Sequence, residues 1–206
     1  NNNAGSIINI YGGSFNSTKQ NTVSNTGTIN IYGGTITSTT GNSITNTGTV
    51  NIGSKDGNVS TEMPIITGKT YGVSNGDSGK VNFYDGIVSG ESGAFSGTIN
   101  EVEDGYEIIS DTTDDGKKSK YLSRLPVAEV ESTGDTYYTL QEAIDAATNS
   151  KEVIKLLRRF TTLNTLETTK ISEDKDIILD LNGYTLEQNN ENFLSNNGTL
   201  KITDSS

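Results

Sequence analysis

Short runs of alternating apolar and polar residues recur at a fixed interval in the first half of the chain. The run INIY at 8–11 returns as INIY at 29–32 and as VNIG at 50–53, each time 21 residues later. Strict alternation is typical of a β-strand that buries one of its faces. The strongest regularity of the sequence is therefore a repeated strand.

Each repeat contains three such runs, separated by Gly, Asn and Thr. In the second repeat the apolar positions are Ile29 and Ile31, then Ile36, then Ile44. Three strands in each repeat of about 21 residues predict an all-β fold, a parallel β-helix in which each coil pairs with the coils above and below it. Equivalent residues of successive coils are then expected to stack about 4.8 Å apart.

The repeat continues beyond its third copy. A fourth copy, VNFY at 81–84, is displaced by ten extra residues, which predicts an inserted loop within 55–71. A fifth and last copy is expected at Ile99 and Asn100.

Two outward-facing columns are expected along the first strand of every coil, one of asparagines and one of tyrosines. Their members are Asn9, Asn30, Asn51, Asn82 and Asn100, and Tyr11, Tyr32 and Tyr84. Such columns can serve only to stabilise the sheet, or they can form a glycan-binding strip on which tyrosine faces pack against sugar rings. Both interpretations are open at this point.

Asn and Gly also recur at the corner that precedes the first strand, at 25–27, 46–48 and 75–76. These two residue types adopt a left-handed backbone at low cost. We therefore expect left-handed turns at this corner.

An acidic segment follows the repeats and predicts a hairpin. Seven acids lie between 101 and 115, and Lys117, Lys118 and Lys120 come directly afterwards. We expect a hairpin over about 101–123, with opposite charges facing each other across its strands, that closes a first module spanning 1–124. The alternative is a calcium site at Asp111, Asp114 and Asp115, although the closing Glu of a calcium loop is missing.

The pattern of apolar and polar residues changes after residue 125. Thr139 and Glu142 form a capping box, and the apolar spacing that follows predicts an amphipathic helix over about 139–148. Strands are expected at 153–157 and 177–183, and the triplet LDL at 179–181 returns as LKI at 200–202. This second offset of 21 residues predicts a second β-helix over 125–206, which begins with the capping helix and places Asp180 beneath Lys201.

The amino-acid composition disfavours several classes of partner and cofactor. The net charge of −11 disfavours nucleic acid and anionic membranes as partners. No apolar run is long enough to span a membrane, so no membrane insertion is expected. The chain has no His and no Cys, which are the usual ligands of zinc and haem, and we expect no cofactor.

Three segments of the second half resemble a known family. They are YYTLQEAIDAA at 137–147, ILDLNGYTL at 178–186 and GTLKITDS at 198–205, to which the YGG coils at 11–13 and 32–34 can be added. Together they are similar to tandem pectin-lyase-like β-helix modules of large surface proteins from Gram-positive bacteria.

The resemblance implies a right-handed helix, which is also the general rule for parallel crossovers. It implies an extracellular location, secreted or anchored to the cell wall. The chain starts near a coil edge and stops after about two coils of the second module, so we expect a polypeptide that continues beyond both ends. The partners it implies are surface glycans or host proteins, together with adjacent modules of the same polypeptide. The function expected from it is that of a non-catalytic structural or adhesive segment.

A carbohydrate-active enzyme, either a polysaccharide lyase or a glycoside hydrolase, is the alternative that this fold family implies. Acids are sparse in the first hundred residues, and the only candidate hydrolytic set is Asp56 and Glu62 with Asp77 or Asp85. A threonine-rich ice-binding face around 35–40 is a third hypothesis. We expect no catalytic residue.

Overall fold

The computed structural model describes residues 1–55, 62–103, 105–162, 168–188 and 194–206. These residues form two compact units, Asn1–Ser123 and Arg124–Ser206. Both units are built from parallel strands, and the predicted all-β solenoid is confirmed.

Three sheets run along the first unit, and each of its first four coils contributes one strand to each sheet. The first sheet contains β1 (Ile7–Ile10), β4 (Thr28–Ile31), β7 (Thr49–Ile52), β10 (Lys80–Phe83) and β13 (Glu101–Val102). The coil strands of the second sheet are β2 (Ser14–Ser17), β5 (Thr35–Ser38), β8 (Ile65–Thr67) and β11 (Ile87–Gly90). The third sheet contains β3 (Val23–Asn25), β6 (Ile44–Asn46), β9 (Tyr71–Asn75) and β12 (Gly93–Ser96).

The predicted register is confirmed in the first four coils. Ile10 pairs with Ile31, which pairs with Ile52, so residues 21 positions apart lie side by side. Thr35 pairs with Ile65, an offset of 30 residues in place of 21, so nine of the extra residues lie between β7 and β8. Val50 pairs with Val81, 31 residues later, as the displaced fourth copy predicts. Because the strands are parallel, each inward side chain packs on its equivalents in the neighbouring coils.

The core of the first unit is a column of inward aliphatic side chains and one aromatic ring. Ile31, Ile36, Ile52 and Phe83 have no exposed surface. Burying each such side chain stabilises the fold by roughly 1.5 to 3 kcal/mol. In the first coil Phe15 is 43% exposed, because this coil has a neighbour on one side only.

A second column of asparagines lies inside the corner between the third and first sheets. The amide nitrogen of each member donates to the amide oxygen of the next, at 2.7 Å in all three steps. We call this column the buried amide ladder; its members are Asn2, Asn25, Asn46 and Asn75, each at most 9% exposed. Every donor points towards the following coil.

The expected left-handed backbone at this corner is wrong. Among the described residues, the only non-glycine positions with positive φ are Lys151 and Asn182, and Gly27 and Gly48 do not have positive φ either. Glycine is required there by space: a Cβ on Gly48 would lie 2.1 Å from the carbonyl oxygen of Gly27. The corners of successive coils therefore stack backbone on backbone.

The acidic segment forms the predicted hairpin, with strands β14 (Tyr106–Thr112) and β15 (Lys118–Arg124). β15 pairs antiparallel with β11, so the hairpin covers the last coil's edge of the second sheet. The expected pairing of opposite charges across the strands is wrong for Lys120, whose ammonium donates to the Ser110 hydroxyl at 2.9 Å. The hairpin therefore pairs the last parallel strand of this sheet, and β14 becomes its edge.

The second unit contains a shorter solenoid. Its elements are β16 (Ala128–Val130), β17 (Asp135–Tyr137), α1 (Leu140–Ala146), β18 (Glu152–Leu156), β19 (Phe160–Thr162), β20 (Thr169–Ile171), β21 (Asp176–Asp180), β22 (Leu186–Gln188), β23 (Leu194–Asn196) and β24 (Thr199–Thr203). β18, β21 and β24 pair in parallel, as do β19 with β22 and β20 with β23.

A helix and an unexpected hairpin cover the start of this solenoid. Thr139 caps α1, and the reciprocal bonds of the predicted capping box with Glu142 are present. The helix packs against β16, β17 and β20. β16 pairs antiparallel with both β17 and β18, which the sequence patterns did not predict. Over the described part of the chain, no helix has the length and apolar character needed to cross a membrane.

The predicted position of Lys201 above Asp180 is wrong. Lys201 pairs with Ile178, and Asp180 pairs with Thr203, so the true offset is 23 residues. Alternation has a period of two, and a shift by two residues leaves the same face of the strand buried. The sequence pattern therefore could not separate these two registers.

Candidate functional site

The outward asparagines of the first sheet form a continuous ladder. Asn30 donates to Asn9 at 2.7 Å, Asn51 to Asn30 at 2.6 Å and Asn82 to Asn51 at 2.8 Å, always from amide nitrogen to amide oxygen. We call these four residues the outer amide ladder. Its donors point towards the first coil, the reverse of the direction in the buried amide ladder.

The prediction that Asn100 is the fifth member of the asparagine column is wrong. Asn100 lies opposite Val81, where its side-chain oxygen accepts the Val81 backbone N–H at 2.8 Å. Glu101 takes the ladder position beside Asn82. The outer amide ladder thus ends against a carboxylate.

The tyrosine column is a pair followed by a gap. Tyr11 and Tyr32 stack with ring centroids 5.0 Å apart and ring planes inclined by 25°, and we call them the tyrosine pair. The next coil presents Gly53 in this column, and Tyr84 follows one coil later. The expected three-membered stack is therefore limited to two rings.

Tyr84 belongs to a charged cluster. Its hydroxyl donates to a Glu101 oxygen at 2.8 Å, and the Lys55 ammonium contacts the other oxygen of that carboxylate. The hydrogen bonds from Lys55 and Tyr84 lower the pKa of Glu101 below its ordinary value. Glu101 is consequently a stable anion that holds Tyr84 in place.

A groove of about 470 Å³ lies next to the tyrosine pair. The chain passes from Tyr11 and Tyr32 through paired glycines into β2 and β5, and the groove opens at this corner. We call it the corner groove; its lining is Gly13, Ser14, Gly34, Thr35, Glu62, Met63 and Ile65. The sequence did not predict it, because no repeat or spacing indicates that Glu62 and Met63 lie beside the first two coils.

Of the proposed hydrolytic acids, Glu62 alone lines the corner groove among the described residues. Asp77 is exposed in the turn between β9 and β10, at a different corner of the coil. Asp85 lies after β10, where its carboxylate accepts the Gly86 backbone N–H at 2.8 Å. Asp56 lies outside the described residues.

Two of the three candidate calcium ligands, Asp111 and Asp115, accept hydrogen bonds from neighbouring residues of the hairpin. Asp115 accepts a hydrogen bond from the Thr113 hydroxyl at 2.5 Å and contacts the Lys117 ammonium. The hydrogen bonds from Lys117 and Thr113 lower the pKa of Asp115. Asp111 accepts from the Thr112 backbone at 2.7 Å. Within the described ranges, no three acidic side chains form a group that could hold a metal ion.

The threonine-rich face is mixed. Thr35 has Ser14 and Ile65 beside it, and Thr37 has Asn16 and Thr67. The regular threonine array of the ice-binding hypothesis is therefore interrupted.

No family model matches the chain, and neither a curated protein nor a solved structure is significantly similar to it. The chain is a parallel β-solenoid.

Proposed function

We propose that this chain is a non-catalytic structural and adhesive segment of a large bacterial surface protein, secreted or wall-anchored, that binds glycans along one coil face. The observation that carries this proposal is the tyrosine pair beside the outer amide ladder. Both columns lie on the outer face of the first sheet, and Tyr11 is 58% exposed.

The structural part is supported by the way the coils depend on one another. A single coil buries few side chains, and fixing the backbone of each residue costs roughly 1 to 2 kcal/mol. Stability must therefore come from stacking, which suits a structural segment built from repeated coils. Antiparallel strands pair with the last parallel strand of the second sheet in the first unit and with the first parallel strand of the second unit.

The adhesive part is supported by the unused capacity of the outer amide ladder. A side-chain amide has two N–H donors and an oxygen with two lone pairs. Asn30 and Asn51 each use one N–H and one lone pair in the ladder. The remaining groups can bind sugar hydroxyls at a repeat of about 4.8 Å, while the tyrosine pair offers apolar contact to the ring faces.

A glycan array probed with the intact chain tests the proposal. We expect binding that falls about tenfold in Tyr11→Ala, which corresponds to the loss of about 1.4 kcal/mol. Tyr106→Ala is the matched control, because Tyr106 is 37% exposed on β14, a strand of the second sheet. Equal binding by Tyr11→Ala and the wild type, or no binding to any glycan, would overturn the adhesive role.

The same incubations test the non-catalytic part. Glycans recovered after incubation are expected to keep their chain length. New reducing ends or unsaturated products would favour the carbohydrate-active enzyme instead.

A further inference from the structure

The outer strand of the hairpin has an open edge. β14 is the last strand of the six-stranded second sheet, so β15 pairs with one of its sides and the other side is an edge. The strand has seven residues, which exceeds the length of about five or six residues that is typical of strands. An edge strand presents backbone N–H and C=O groups with which another extended chain can pair. A further strand can therefore be added here.

The turn of the hairpin determines which backbone groups face this edge. The Thr113 N–H donates to the Lys117 carbonyl at 2.8 Å, so Thr113 faces β15. Residues of an antiparallel strand alternate between its two sides. Every second residue before Thr113 thus faces β15, and Ile108 and Ser110 direct their N–H and C=O groups to the open edge. In the part of the chain that the structure describes, neither Ile108 nor Ser110 has a backbone hydrogen bond with a third segment.

The side chains on the outer face of β14 are acidic and apolar. Ile108 packs against the core of the first unit, so the residues on either side of it point outward. The outward residues are Glu107, Ile109 and Asp111; both acids are exposed, and Ile109 is partly buried. The outer face of this strand therefore presents one apolar side chain between two carboxylates.

The lysines of β15 hydrogen-bond to uncharged groups rather than to these carboxylates. Lys118 donates to the Ser92 carbonyl, and Lys120 donates to the Ser110 hydroxyl. Among the ion pairs of the residues that the structure covers, none includes Glu107. An extended chain with basic side chains is complementary to such a strand, because opposite charges on neighbouring strands attract each other.

A second copy of the chain fits this edge poorly. Two β14 strands paired antiparallel about Ile109 would set Glu107 of one copy opposite Asp111 of the other. Like charges directly opposite each other destabilise a strand pair. The net charge of −11 adds repulsion between whole copies, whereas a basic partner is attracted by it.

We propose that the β14 edge binds an extended basic segment of a partner protein, which joins the second sheet as an additional strand. Backbone hydrogen bonds to Ile108 and Ser110 hold the segment. Its apolar residue packs on Ile109, and a lysine or arginine two positions away on each side faces Glu107 or Asp111. The glycan face lies on the first sheet, so neither proposal depends on the other.

Three synthetic peptides test this assignment with the intact chain. The first, Thr-Lys-Thr-Val-Thr-Lys-Thr with blocked ends, reads the same in both directions and places lysine, valine and lysine on one face of a strand. The second has glutamate in place of lysine, and the third is the lysine peptide with N-methyl groups on its three central residues. In calorimetric titration we expect the lysine peptide to bind, and each of the others to bind at least about tenfold more weakly.

Hydrogen exchange followed by NMR locates the bound peptide. The amide protons of Ile108 and Ser110 are expected to become protected when the lysine peptide is added. Glu107→Lys should weaken binding of the lysine peptide about tenfold and strengthen binding of the glutamate peptide. Glu173→Lys is the matched control, because Glu173 is exposed in the second unit, and it should leave both affinities unchanged.

Absence of binding by the lysine peptide would overturn the proposal. Equal binding of the N-methylated peptide would mean attraction without strand addition, and equal binding of the glutamate peptide would remove the charge complementarity; either result overturns it. Unchanged exchange at Ile108 and Ser110 in the complex does the same. A dimer of the chain that the lysine peptide dissociates would show that a second copy occupies the edge, contrary to the assignment.

Discussion

Replacing Asn46 measures how much the buried amide ladder stabilises the first unit. Asn46 has no exposed surface, and its side chain takes part in five hydrogen bonds. It donates to Asn75 and to the Gly48 and Lys80 carbonyls, and accepts from Asn25 and the Gly48 N–H. Asn46→Ala leaves these groups buried without their partner.

Each orphaned buried group costs roughly 1 to 3 kcal/mol. Asn25 keeps two backbone acceptors, so the loss is smaller than the sum over all five bonds. We expect Asn46→Ala to lower the free energy of unfolding by about 3 to 5 kcal/mol, a large part of the 5 to 15 kcal/mol typical of a domain. Urea unfolding followed by circular dichroism provides the measurement.

Asn46→Asp sharpens the test because its shape is unchanged. The new carboxylate would face two carbonyl oxygens and the Asn75 amide oxygen, so its pKa in the folded state is expected to rise above about 3.9. A raised folded pKa means that the protonated form stabilises the fold. The variant should therefore be more stable near pH 4 than near pH 7, with the stability lost as the pH rises through the folded pKa.

Asn51 provides the matched control, since it belongs to the outer amide ladder and water can replace its bonds. Asn51→Ala is expected to cost about 1 kcal/mol or less. If Asn46→Ala costs no more than Asn51→Ala, the interpretation of the buried amide ladder as a stabilising element is wrong.

Three further substitutions test individual contacts. Gly48→Ala is expected to destabilise the first unit by more than about 2 kcal/mol, because its Cβ would meet the Gly27 carbonyl. Thr139→Ala should cost the second unit about 1 kcal/mol through the lost helix cap, as measured by urea unfolding. Hydrogen bonds from Ser205 lower the pKa of Asp180, so its carboxylate stabilises the second unit above about pH 4, and that stability is lost as the pH falls. Melting temperatures of Asp180→Asn should then vary less with acid pH than those of the wild type.

Each of these tests has a result that contradicts it. If Gly48→Ala has the same free energy of unfolding as the wild type, Gly27 and Gly48 must lie far enough apart to accommodate the added Cβ. A Thr139→Ser variant as unstable as Thr139→Ala would exclude the hydroxyl cap as the cause. An acid transition of the second unit that is the same in Asp180→Asn and the wild type would remove Asp180 from the explanation.

Sequence patterns predicted an element of the fold well where its residues are close together in the chain or recur at a constant interval. The stacking of Ile10, Ile31 and Ile52 follows from a 21-residue repeat without insertions. The start of α1 follows from the pairing of Thr139 with Glu142. Both depend on residues whose spacing can be read directly.

The register of some strands and the contacts between distant residues could not be predicted from the sequence. The position of Lys201 beside Ile178 differs from the prediction by two residues, which alternation cannot detect. The corner groove depends on Glu62 and Met63 lying beside the first two coils, and no periodicity indicates that position. The role of Gly48 became visible only when the distance to Gly27 was known.

The two amide ladders run in opposite directions along the first unit, and this has an electrostatic consequence. Side-chain dipoles that point one way in Asn9 through Asn82 are opposed by those of Asn2 through Asn75. An α-helix, in contrast, accumulates a macrodipole as its peptide units align. A rod built from such coils can be lengthened without its two tips acquiring opposite charge from these amides.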